Sequence, residues 1–141
     1  MIREQQYINP IDFELSTALG IDLPTNGPAG ATFKLNYLSI DQAFANAKNL
    51  LFTNKGERVM QPNFGCDLQN TVFEQVNEDI VELVESNIKT AFSYWLPYIY
   101  INKLEVEPYE DKNRINILFI MSLQGNKIDT RSIQFDVLNT Q

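Results

Sequence analysis

No histidine occurs in this chain, so any chemistry rests on 18 carboxylates, 11 Lys and Arg, 6 tyrosines and a single thiol, Cys66. Histidine is the one side chain whose unperturbed pKa, roughly 6.5, lies near neutrality. Without it, Ser-His and Cys-His nucleophile pairs and the usual zinc sites are excluded. A lone cysteine forms no internal disulfide and no cysteine-rich metal site, which suits a reducing compartment. Hydrolysis of a glycosidic bond needs only two carboxylates, and Glu57, Asp67 and Glu74 can be nominated. A general acid needs an apolar pocket, whereas Glu57 directly precedes the cation Arg58. The expectation is a protein that is not an enzyme and takes no cofactor or metal.

These residues lie in the stretch Leu50 to Phe73, where an apolar helical run gives way to a turn, a charged loop and a second helical start. Gly56 can take the left-handed conformation that closes a helix, leaving Glu57 and Arg58 just outside it. Pro62 and Gly65 keep the chain out of helix, and Phe64 between them is the one large apolar anchor. A guanidinium beside a glycine turn can brace a loop by bidentate bonds to a carboxylate. Arg58 is therefore expected to pair with Glu57, Asp67 or Glu74, or to reach a partner.

A chain of 141 residues with 44% hydrophobic and 11% aromatic side chains is one globular domain with a real core. Its net charge of -7, with the cations scattered, repels phosphate backbones and anionic lipid. Direct binding to nucleic acid or membrane is not expected. No apolar run approaches the roughly 18 residues a membrane span needs, and the first residues carry no signal-like apolar block.

Residues 1–31 hold Pro10, Gly20, Pro24, Gly27, Pro28 and Gly30, a density of breakers that predicts an extended arm. Its apolar side chains, such as Ile11, Phe13 and Leu19, would lay it on its own domain or on a neighbour. Residues 32–141 form the domain proper. Phe33 to Tyr37 alternates as a short strand expected to pair at a sheet edge, and Ser39-Ile40-Asp41-Gln42 reads as a capping box opening a helix. Ile40, Ala43, Phe44, Ala47, Leu50 and Leu51 give that helix one apolar stripe. A short helix follows near Asp67, then a long one capped by Asn77, with Val81, Val84, Ile88, Ala91, Phe92 and Trp95 on one face and Pro97 as its stop. From Ile99 the period becomes two, with turns at Pro108 to Asn113 and at Gly125-Asn126. Helices followed by strands imply an α+β fold, with helices packed on one face of an antiparallel β-meander. On the last strand Ile133, Phe135 and Val137 should face the core, with Ser132 and Gln134 on the other face.

The run Leu50-Leu51-x-Thr53-x-x-Gly56-Glu57-Arg58, Pro62-x-Phe64-Gly65-x-x-Leu68 and Val72-Phe73-Glu74 resembles the signature of a small baseplate wedge family of contractile-tailed phages. That family has a counterpart in type VI secretion baseplates, and some members have been labelled lysozyme-like. The resemblance extends from about Asp22 to Leu138. It implies a structural virion protein of the tail baseplate, assembled in the host cytoplasm, that connects other wedge proteins to the first ring of tail sheath protein and initiates sheath assembly. Contact with central hub or tube-initiating proteins is within the same implication. Many members read Glu-Pro-Arg where the long helix ends, whereas this chain reads Leu96-Pro97-Tyr98. An apolar or aromatic contact through Leu96, Tyr98 and Tyr100 is expected in place of the two charges. A lysozyme-like hydrolase and a piece of a secretion or extracellular injection machine are the alternatives.

Overall fold

The computed structural model describes residues 9–14, 16–22, 33–72, 78–109 and 112–138. A 3₁₀ turn, Pro10–Phe13, opens the described chain, with the Asn9 side chain accepting from the Ile11 amide. Two short strands, β1 (Gly20–Ile21) and β2 (Leu35–Asn36), pair antiparallel as a ribbon of their own. Three helices follow, α1 (Ser39–Phe52), α2 (Leu68–Val72) and α3 (Glu78–Trp95), and then three strands, β3 (Ile99–Tyr109), β4 (Arg114–Leu123) and β5 (Asn126–Leu138). The expected α+β order is present.

The meander is antiparallel in the order β3-β4-β5. Register pairs Phe119 with Leu104 on one side and Ile133 on the other, which puts the odd-numbered apolar residues of β4 on the helix side. Ile115, Ile117, Phe119 and Met121 are fully buried there against Leu50, Val84, Ile88 and Phe92. Phe92 and Phe119 meet at 4.8 Å between ring centroids. Period two in the strands and period 3.6 in the helices thus converge on one core, a pattern that fixes strand register because a one-residue slip would turn every apolar side chain to water. On the opposite face Leu118 and Ile120 are half-buried within a polar surface.

Three expectations are corrected. Ser39 opens α1, but no capping box forms: its amide and hydroxyl both donate to the Asp12 carboxylate, each at 2.7 Å. The Gln42 side chain meanwhile accepts from Asn36 and donates to Asn46. A carboxylate on the positive end of a helix dipole outcompetes a local hydroxyl for the free amides. Second, the strand at Leu35–Asn36 pairs with Gly20–Ile21 of the arm and leaves the outer edge of the meander alone. Third, Leu96 is 8% exposed and belongs to the core, because the turn after α3 folds it inward while Leu96 N–H still closes on the Phe92 carbonyl. The Asn77 cap, the break at Val76 and arm residues 23–31 lie outside the described residues.

Candidate functional site

The loop between α1 and α2 is built by backbone bonds. Glu57 N–H donates to Asn54 O and Gly56, at φ 91, takes the positive-φ place in that turn. Gly56 N–H then reaches across to Pro62 O at 2.7 Å, closing the loop on itself. Gln61 and Phe64 amides bond back to Arg58 and Gln61 carbonyls. Gly65, at φ 125, lies so close to the Thr53 carbonyl that a Cβ there would collide with it. Only glycine fits both demands. Phe64 is buried and presents its ring to Trp95 at 5.2 Å.

Arg58 braces this loop, and among the described residues it does so without an ion pair. Its guanidinium lies over the Phe64 ring, 3.9 Å from the centroid, a cation–π contact. The expected carboxylates are engaged elsewhere: Glu57 accepts from the Asn54 amide and side chain at 3.0 Å each, and Asp67 accepts from Asn70 at 2.6 Å. Glu74 lies outside the described residues. What sequence reasoning missed is the loop tip. Val59 and Met60 are 93% and 92% exposed, and the available signal was that a loop already anchored by Phe64 has no core left for two more large apolar side chains. Tyr94, exposed beside them on α3, packs on Trp95 at 4.9 Å. Met60, Tyr94 and Trp95 border one cleft together with Lys55 and Pro62.

Just past the same C-terminal end of α3, Pro97 and Tyr98 form the turn that Ile99 N–H closes on Leu96 O. Gln124, from the β4–β5 turn, donates to Pro97 O at 2.7 Å and its amide to Tyr98 O at 2.9 Å. The Tyr98 hydroxyl accepts from Asn46 on α1 at 2.9 Å. Tyr98 and Tyr100 are exposed, the latter under Lys127.

The outer edge of β5 is the third surface. Ser132 and Gln134 are exposed on the face away from the helices, where Gln134 bonds Asn116, and Asp136 bonds both Asn116 and Arg114. Arg131 points to the helix side and ties β5 to α1 through Asp41 at 3.0 Å and to Asp129 at 2.6 Å. Burial disfavours its charge, but the bonds to Asp41 and Asp129 outweigh that and raise its pKa. Among the described residues no strand pairs with the outer side of β5.

Cys66 is buried, and desolvation pushes its thiol up to about 12 despite the nearby Lys55 charge. A thiol so held is not a nucleophile at neutral pH. Among the described residues no cluster of His, Cys, Asp or Glu could hold a metal, and no helix is long and apolar enough to cross a membrane.

Comparison with known proteins finds one family model and several relatives. The family model for baseplate wedge protein gp25 matches residues 45–126. Baseplate wedge protein gp25 of Enterobacteria phage T4 is 29% identical over 91 residues, 64% of this chain and 69% of that protein. Endoribonuclease YbeY of Borreliella burgdorferi is 29% identical over 104 residues, 72% of this chain, and the match spans 64% of that protein's length. A tail-lysozyme candidate from Geobacter sulfurreducens superposes with a TM-score of 0.60 at 25% identity, over 71% of this chain and 90% of that one. A chain of the anti-feeding prophage baseplate shares the fold, with a TM-score of 0.55 at 13% identity over 85% of this chain and 84% of that one.

Proposed function

Because this chain belongs to the baseplate wedge protein gp25 family, we propose that it joins the wedge core of a contractile tail to the first ring of sheath subunits and starts sheath assembly on the outer edge of β5. It is a structural component of the tail baseplate of a virion. The reading treats residues 1–31 as an arm and 32–141 as the wedge domain, assembled in the host cytoplasm and without catalytic activity. Glu57 and Asp67 act as loop hydrogen-bond acceptors in it, not as an acid and base.

The observation that carries the proposal is the last strand of the sheet, which pairs with β4 on one side and, among the described residues, with no strand on the other. An unpaired strand offers a row of amides and carbonyls, and main-chain pairing supplies affinity while alternate side chains supply selection. The braced loop from Gly56 to Gly65, with Arg58, Pro62 and Phe64 holding Val59 and Met60 outward, and the corner at Pro97 and Tyr98, are the surfaces assigned to other wedge proteins. A preformed loop loses little entropy on docking, which is why rigid apolar and aromatic tips serve as anchors.

Proline removes one amide donor. Adjacent residues of a strand point their amides to opposite sides, so of Ser132→Pro and Ile133→Pro one variant removes an outward donor and leaves the β4–β5 ladder whole. That variant is expected to stay folded, to enter baseplates and to lower the fraction that start sheath at least tenfold. Normal sheath growth from baseplates carrying the folded variant refutes the edge as the template.

A further inference from the structure

Alongside the outer edge of β5, which no strand among the described residues pairs with, lies a cleft of about 280 Å³, walled by Leu51 and Phe52 of α1, Leu68 of α2, and Phe135, Val137 and Leu138 of β5. Two of these walls remain open to water: Phe52 is 55% exposed, even with its ring against Phe135 at 4.9 Å, and Leu138 is 57% exposed. Large apolar side chains converging on one hollow mark a surface that gains from being covered. The hollow is at the small end of the roughly 300–1,000 Å³ of pockets for drug-sized ligands, and it has room for one large apolar side chain delivered on a chain.

A strand added to β5 must send every second side chain to the helix side, the side on which Arg131, Ile133, Phe135 and Val137 of β5 already lie. That side differs along the edge. At Arg131 it is taken up by the ion pairs with Asp41 and Asp129. At Phe135 and Val137 it opens into the cleft. We propose that this cleft is the socket that sets the register of the incoming strand, and that the occupant is an extended segment of the sheath subunit. The segment places a Leu, Met or Phe beside Phe135 and Val137, and a hydrogen-bonding side chain four positions away beside Arg131. This rests on the reading of β5 as the sheath-starting edge and adds to it which register that edge accepts.

Cys66 is the chain's sole cysteine and is 1% exposed, so a cysteine introduced at the surface can be labelled alone. Gln69, on the cleft rim and exposed, is converted by Gln69→Cys and coupled to a benzophenone maleimide in the purified chain before its assembly into baseplates, with Glu82→Cys on α3 as the control. Illumination after adding sheath subunits is expected to join Gln69→Cys, and not Glu82→Cys, to a sheath segment bearing a large apolar residue. In parallel, Gln69→Trp fills the cleft and Leu138→Arg charges its wall. Both are expected to melt as the parent does and to lower sheath starts at least tenfold, whereas Gln69→Ala starts sheath normally. If the β5 proline variant blocks sheath while Gln69→Trp and Leu138→Arg do not, the socket is overturned and the edge stands. If none of the three blocks sheath, both fall. A crosslink to a segment with no large apolar residue overturns the socket by itself.

Discussion

The two outer strands of the meander carry opposite kinds of edge. On β3 the register to β4 slips between Ile101 and Lys103, a Lys103–Glu105 pair lies at 2.7 Å, and Pro108 sits near the end. A bulge, an edge lysine and a proline are the usual devices that discourage a second chain from pairing. From Thr130 to Leu138, β5 pairs with β4 in continuous register, carries no proline, and keeps its central exposed positions, Ser132 and Gln134, uncharged. One sheet therefore closes one edge and leaves the other able to pair. Stability alone gives no reason for that difference, since an open edge is an aggregation hazard unless something is meant to occupy it.

The contrast can be broken most forcefully by stripping β3 of its protection. Deleting Asn102 and combining it with Lys103→Thr and Glu105→Thr should give a second adhesive edge, and light scattering after size exclusion should show a larger mass than the parent. An unchanged mass would mean that the bulge and charges are not what closes β3. A smaller effect concerns the arm. Asp12 holds the start of α1 from 27 residues upstream, while β2 pairs with β1 of the arm. Asp12→Ala should cost about 1 kcal/mol, as loss of a helix cap does, read as a drop of roughly 2–8 °C in Tm. Arg131→Ala should cost about 0.5–1 kcal/mol, because its pairs are only partly buried. It should also loosen β5 from α1, seen as faster amide exchange in β5 than in β3. The smallest shift belongs to Arg58→Ala. A cation–π contact at a partly exposed site contributes about 0.5 kcal/mol, less than the roughly 3–5 kcal/mol of a broken buried ion pair. Baseplates that have incorporated this variant should start sheath normally, which makes it the control that separates loss of stability from loss of the edge.

Much of this was legible in the residues. Period two from Ile99 onward placed the three strands and their core face, since a half-buried sheet must alternate. The stripe through Ile40, Ala43, Ala47 and Leu50 placed α1 for the matching reason. Partner choice over distance was not legible. Ser39 and Gln42 are local and look like a box, yet the cap arrives from Asp12, and no periodicity announces a contact 27 residues away. Arg58 has three acids near it in sequence, but Glu57 is held by Asn54, and an aromatic ring 6 residues on takes the guanidinium instead. Leu96 directly precedes Pro97. A turn residue beside an exposed proline reads as surface until the backbone is seen to fold it inward.

The connectivity of the meander also has a kinetic side. β3 pairs with β4 and β4 with β5, each the next strand along the chain, and the second hairpin turns through Gln124 and Gly125. Closing short loops costs little entropy, and contacts between sequence neighbours form early. The strand with the adhesive edge therefore gains its first partner through one of the shortest searches the chain has to make. An edge that must stay open in the finished protein is most hazardous while the rest is still unfolded, and this order of strands shortens that interval.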